Sequence, residues 1–147
     1  MFWGLERYTL MKAHLYQTKT DIGLLLFRLA FGIGMMVHGL QKLSKFGALS
    51  ESFPDPLGIG SVASLSLAVF AEVFCSLLLV IGFLTPLALI PLIITMVVAL
   101  FVIHGADPWS KKELAFTYLA VYSGLLFSGP GKLSLDYRLF GASAPTD

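Results

Sequence analysis

Glu72 stands in the middle of one apolar run of the chain, and Arg28 stands about two turns into another. A charged side chain at the centre of a bilayer span costs about 2.5–3.5 kcal/mol on insertion scales, so each calls for a partner or a purpose. A carboxylate so placed can hold a proton or a ligand, and a guanidinium can neutralise it. Counted from the end of the spans that faces the chain termini, Arg28 is roughly 9 Å deep and Glu72 roughly 15 Å at 1.5 Å per residue. An arginine side chain bridges that difference, and an Arg28–Glu72 pair is expected. Two readings of the pair stay open: a proton-handling or ligand-binding carboxylate poised by Arg28, and a structural ion pair that sets helix register.

A second polar group gathers towards the opposite surface. His38, Gln41 and Lys42 lie at i, i+3 and i+4 and so share one helix face. His104 ends a later apolar run on that side, and Lys111, Lys112 and Glu113 open the next. Histidine titrates near neutrality, and with glutamate in an apolar cavity it can hydrogen-bond a quinone's carbonyls and exchange its protons. The candidate catalytic residues are therefore Glu72, His38 and His104. Arg28, Gln41, Lys42 and Glu113 are candidate ligand-binding residues, with aromatic residues such as Phe27, Phe31, Tyr118 and Tyr122 available to flank a ring. The plainer alternatives are that the lysines snorkel to headgroups, that His104 only caps a helix, and that the aromatics only pack. His38 and His104 lie near one surface without a haem-type spacing, so neither haem nor metal is expected. No GxSxG, HExxH or phosphate loop is present.

The elements that must position these residues are apolar. Of 147 residues, 56% are hydrophobic and 13% charged, about half the usual 25% for a globular protein. Such a chain cannot cover a soluble surface, and its net charge of +1 offers no basic field for nucleic acid. The single cysteine, Cys75, closes no intrachain disulfide and belongs to no CxxC. Four apolar segments emerge, at about 22–43, 61–82, 86–104 and 113–128. Thr20-Asp21 offers an N-cap to the first, the Gly- and Pro-rich loop 50–60 precedes the second, and Gly129-Pro130-Gly131 stops the fourth. Spans of about 20 residues reach the roughly 30 Å of hydrocarbon, with the fourth somewhat short or tilted. Without water for backbone groups, helices are the open-ended solution. The expected fold is an all-α membrane protein, an antiparallel four-transmembrane-helix bundle, in which Pro91 bends the third helix.

Within the second segment, Gly60, Ser64, Ala68, Glu72 and Ser76 recur every four residues as a stripe of small side chains that turns Glu72 towards the other helices. Residues 1–20 mix Trp3, Tyr8, Arg7 and Lys12 with apolar side chains, have no continuous signal-peptide core, and suit a short interfacial segment in the headgroup layer. The membrane domain then covers 21–140 and a disordered tail 141–147. Arg7, Lys12, Lys19, Lys132 and Arg138 on the side of the termini, against Lys42, Lys45, Lys111 and Lys112 on the other, slightly favour cytoplasmic termini.

Several of these stretches resemble one family. Leu25-Leu26-Phe27-Arg28-Leu29-Ala30 leading to His38-Gly39-Leu40-Gln41-Lys42-Leu43, then Ala71-Glu72, Gly82-Phe83-Leu84-Thr85-Pro86, His104-Gly105, and the closing Gly129-Pro130-Gly131-Lys132-Leu133-Ser134-Leu135-Asp136 resemble the DoxX family of small bacterial membrane proteins. The resemblance covers about residues 21–140 and places Arg28, His38, Lys42, Glu72 and His104 on its motif positions. It implies a bacterial inner-membrane location. It also implies kinship with a subunit of an archaeal thiosulfate:quinone oxidoreductase and with membrane redox complexes, although many members have no assigned activity. The N-terminal extension and the acidic loop 51–55 are not part of it.

The leading expectation is a quinone-linked oxidoreductase, or the quinone-binding membrane subunit of a redox complex that draws electrons from a partner protein or a small reductant. The rivals are a non-catalytic assembly subunit and a small-solute or ion carrier, the last requiring a homo-oligomer. In each case the lipid bilayer is the surrounding medium and nucleic acid is not a partner.

Overall fold

The computed structural model describes residues 2–141, with side chains described from residue 15 onward. The tail expected at 141–147 therefore lies outside the described residues apart from Gly141. All regular secondary structure among the described residues is helical. Helix α1 spans Phe2–Ser44, a single turn α2 spans Phe46–Leu49, α3 spans Ser61–Ile81 and α4 spans Thr85–Ile103. Helix α5 spans Trp109–Ser128 and a short α6 spans Leu135–Phe140. Among the described residues, three stretches are long and apolar enough to cross a membrane: Leu15–Ser44, Ser61–Ile81 and Thr85–Ile103.

Thr20-Asp21 does not start a helix, because α1 runs through it. The Thr20 hydroxyl donates back to the Tyr16 carbonyl at 3.0 Å, a bond made inside a helix. The Asp21 carboxylate accepts the Lys132 N–H at 2.9 Å, so it ties α1 to the C-terminal loop instead of capping its own helix. Helix α5 also begins four residues earlier than the apolar pattern, at Trp109 behind Pro108, because its first turn is polar and faces outward. Pro91 lies inside α4, which continues past it. The Thr95 hydroxyl donates to the Pro91 carbonyl at 2.9 Å.

Helix α1 packs along α3, and α4 packs between α3 and α5. Lipid tails are as apolar as leucine, so burial of Leu or Val supplies little drive between such helices, and close backbone approach and polar contacts decide their register. Glycine supplies the approach. A Cβ on Gly32 would meet Val80 Cγ2 at 2.6 Å and the Ser76 carbonyl at 3.3 Å, and one on Gly39 would meet Glu72. The centre is filled by Met35, Cys75, Leu79, Leu89, Leu92 and Tyr122. The Tyr122 hydroxyl meets its need for a partner by donating to the Phe31 carbonyl at 3.2 Å.

The C-terminal segment closes the end opposite the loop 50–60. Asp136 accepts the N–H of Leu84 at 2.7 Å and of Thr85 at 2.8 Å, so a residue some fifty positions away caps the first turn of α4. Its own N–H donates to the Gly82 carbonyl at 2.8 Å. These bonds hold Leu84 at φ 48°, a left-handed conformation that costs a non-glycine residue about 1–2 kcal/mol.

Candidate functional site

Glu72 sits in a wide turn. Over Phe70–Cys75 the backbone is π-helical, and the Ser76 N–H reaches back five residues to the Ala71 carbonyl. A stripe that repeats every four residues drifts about 40° per step around an α-helix, and a π-turn takes part of that drift back. Ser64, Glu72 and Ser76 accordingly all lie buried on one side. A second π-helical turn, Val98–Ile103, ends α4, and there the His104 N–H bonds the Ala99 carbonyl at 2.9 Å. Each of these turns adjoins a candidate residue, and neither was legible in the apolar pattern.

The expected Arg28–Glu72 pair is not formed. Lys42 Nζ donates to Glu72 Oε1 at 2.7 Å and to Oε2 at 2.5 Å, with the carboxylate 4% and the lysine 29% exposed. The register at the glycines explains the exchange of partners. A Cβ on Gly39 would lie 2.8 Å from the carbonyl carbon and the Cβ of Glu72, so Gly39 is level with Glu72 and Lys42 follows one turn later. Arg28 lies eleven residues before Gly39, about 16 Å along the axis.

Arg28 belongs to the other end of the molecule. It is fully buried, its Nη2 donates to the Leu133 carbonyl at 2.5 Å, and the negative charge that acts on it is Asp136. Its Nε and Nη1 are buried without a hydrogen-bond partner among the described residues. Gly82, at φ 70°, leaves room for the guanidinium where any Cβ would overlap it. Arg28 thus ties α1 to the segment that caps α4.

Around Lys42 and Glu72 the structure has two cavities. The larger, about 300 Å³, lies between α3 and α4 under the loop 50–60. Its walls are mostly apolar (Phe53, Leu57, Leu67, Ile94 and Val98 among them), with Lys42, Glu72, Ser64, Thr95 and His104 as the polar groups. The smaller, about 190 Å³, lies on the α5 side and is lined by His38, Tyr118 and Lys111 as well as Lys42, Glu72 and His104. The ion pair and His104 therefore border both. His38 stands edge-on to Tyr118 with ring centroids 6.5 Å apart.

Gln41, expected on the face of His38 and Lys42, and Glu113, expected at the level of His104, are both exposed and line neither cavity. At the end of a helix, one position along the turn separates the cavity wall from the outside. Tyr118, one of the aromatics expected to flank a ring, walls the smaller cavity, and three residues outside the expected set shape the surroundings. Asp55 organises the loop: its carboxylate accepts the N–H of Ile59 at 3.0 Å and of Gly60 at 2.8 Å and the Ser64 hydroxyl at 2.8 Å. Those bonds, with Ser64 first, hold its carboxyl below the usual carboxylate range. Asp107 Oδ2 lies 2.8 Å from His104 Nδ1, and Asp136 caps α4. The Asp55 turn had a signal, an Asp between prolines just ahead of a helix; the Asp107 and Asp136 contacts had none.

The arrangement offers an apolar chamber with a cation, a carboxylate and an imidazole converging on one side, the composition of a small-molecule site of modest size. Comparisons with known proteins agree on the kind of protein. The DoxX family model matches residues 23–105. An uncharacterised membrane protein of Mycobacterium tuberculosis is 32% identical over 135 residues, covering 76% of this chain and 78% of that protein. No solved structure matches the chain.

Proposed function

The chain belongs to the DoxX family, and from that premise we propose that it is the quinone-binding membrane element of a redox system. Its four long helices cross the bacterial inner membrane as an antiparallel bundle with cytoplasmic termini. Helix α5 completes it, since its 20 residues rise about 30 Å although Lys111, Lys112 and Glu113 occupy its first turns. Residues 1–20 carry α1 into the headgroup layer.

The single observation that supports this reading is the 300 Å³ chamber with Lys42, Glu72 and His104 on its wall. The quinone ring lies among Leu67, Ile94 and Val98, and its carbonyls accept hydrogen bonds from the Lys42 ammonium and from protonated His104. Its tail leaves between α3 and α4 towards lipid. Reduction to the quinol takes two electrons and two protons per ring. The electrons come from a partner oxidoreductase or a small reductant, and His104, His38 and Glu72 exchange the protons. Purified protein should carry quinone into an organic extract and bind added ubiquinone-1 in a lipid nanodisc. Lys42→Met and His104→Ala should each weaken that binding at least tenfold. Wild-type protein that neither carries nor binds a quinone ends this reading.

One observation favours a second reading, a non-catalytic membrane assembly subunit. Both Glu72 oxygens are satisfied by Lys42 alone, as in an ion pair that only fixes helix register. A stable partner recovered in pull-down together with absent quinone binding selects it.

A further inference from the structure

His104 borders both cavities, and one of its ring nitrogens is already committed outside them. Nδ1 lies 2.8 Å from Asp107 Oδ2, while Lys111 Nζ stands 3.7 Å from the other carboxylate oxygen. Asp107 lies in the connector beyond α4, outside every apolar segment. The hydrogen bond from His104, followed by the charge of Lys111, holds its carboxyl below the usual carboxylate range, so it is ionised at neutral pH. An ionised carboxylate only accepts, which makes Nδ1 of His104 the donor. In a neutral imidazole with its proton on Nδ1, the Nε2 lone pair is bare. Nε2 is then the ring nitrogen free to meet an occupant of the cavities.

The two ends of the arrangement differ in access to water. The side chains of His104 and Asp107 are 37% and 34% exposed, whereas Glu72 is 4% exposed. Asp107 lies in the connector, so a proton arriving from that side meets the His104–Asp107 pair before it meets Glu72. The π-helical turn Val98–Ile103 immediately precedes His104, and it rotates that residue relative to an uninterrupted α-helix.

We propose that Asp107 is a positioning residue that fixes the Nδ1–H tautomer of His104, so that Nε2 exchanges protons between solvent and a ligand seated beside Lys42 and Glu72. The role of Nε2 rests on the proposed reading of the cavity as a quinone site; the tautomer itself does not. The same kind of outer contact orients histidines at metal and acid–base sites, where a carboxylate on one nitrogen sets the chemistry of the other. The charged and titratable groups around the imidazole are Asp107 from the connector, Lys111 and Tyr118 from α5, Lys42 and His38 from α1, and Glu72 from α3, with Lys112 bonded nearby to the Gly105 carbonyl.

The test is nuclear magnetic resonance of the full chain labelled with ¹⁵N-histidine, in nanodiscs, with the His104 signals assigned by His104→Gln. In wild type at alkaline pH, His104 should show a protonated Nδ1 and a bare Nε2. In Asp107→Ala the signals should move towards the Nε2–H tautomer, because the acceptor that holds the proton on Nδ1 is gone. Asp107→Glu should restore the Nδ1–H tautomer. A wild-type Nε2–H tautomer, or a tautomer unchanged in Asp107→Ala, overturns the proposal. Added ubiquinol-1, whose hydroxyls can donate to a bare Nε2, should shift Nε2 of His104 more than Nδ1. A fixed Nδ1–H tautomer with no response to ubiquinol-1 upholds Asp107 as the positioning residue and removes the quinone from the cavity.

Discussion

Gly39 of α1 lies against Glu72 of α3 so closely that a Cβ on it would come within 2.8 Å of the glutamate's carbonyl carbon and Cβ. That contact puts Lys42, one turn further along α1, onto the carboxylate at 2.5–2.7 Å. The cavities on either side share both residues. The register of two helices at one glycine thus decides which cation Glu72 meets, and so the electrostatics of the site.

Gly39→Leu should separate α1 from α3 and break the ion pair. The clash involves Glu72 backbone, which cannot swing aside, so the loss should be at the upper end of the usual 1–3 kcal/mol for overpacking, about 3 kcal/mol. Gly23→Leu, where a Cβ would meet nothing within 4 Å, should leave stability unchanged. Thermal unfolding in one detergent compares the two. Equal stability for both would remove the close approach from the account.

Lys42→Met and Glu72→Gln should each destabilise the protein by about 3 kcal/mol, since each strands the other member of a buried pair. The double substitution should recover part of the sum. Arg28→Met with Glu72→Gln should instead be additive, because these residues lie at different levels of the molecule. The cycle is read by denaturant or thermal unfolding, and coupling between Arg28 and Glu72 would contradict the register.

Asp136→Ala removes two charge-assisted hydrogen bonds from the first turn of α4 and leaves only backbone bonds, among them Asp136 N–H to the Gly82 carbonyl, to hold Leu84 in its left-handed conformation. A loss of about 2 kcal/mol is expected. Hydrogen exchange should speed up at Leu84 and Thr85 while the exchange around Glu72 stays as it was. Faster exchange at Glu72 instead would mean that the two ends of the molecule are coupled.

The Asp55 turn carries a pH dependence. Its folded carboxyl titrates below the usual value, chiefly because of the Ser64 hydroxyl and then the Gly60 N–H. The stabilisation is therefore complete above the unfolded pKa, about 3.9, and is lost as pH falls through the lower folded value. Protection of the Ile59 and Gly60 amides should hold from pH 7 down to about 4 and fall only in stronger acid. Asp55→Ala should give the fast exchange already at pH 7. A loop that loosens near pH 6 in wild type would show that another group controls it.

Much of this protein is set by composition and periodicity. A chain that is 56% hydrophobic and 13% charged has to be a membrane protein, and the apolar runs at 61–82 and 86–104 match helices Ser61–Ile81 and Thr85–Ile103 to within a residue. Spacing also placed Lys42 and His38 on one face of α1 and His104 at the same end, and the cavities bring them together. What spacing could not supply is the height of one helix against another. Counting depth from residue 22 set Arg28 near Glu72, whereas α1 continues through that position and Arg28 is level with Gly82. That slip of six residues is roughly 9 Å at 1.5 Å per residue, enough to exchange the partner of Glu72. The period of a helix fixes the direction of a side chain around its own axis. Its level relative to a neighbour comes from where the two backbones approach most closely, here at Gly32 and Gly39. Contacts across the chain, such as Asp136 on Leu84 and Thr85, exist only once the helices have been packed at that level.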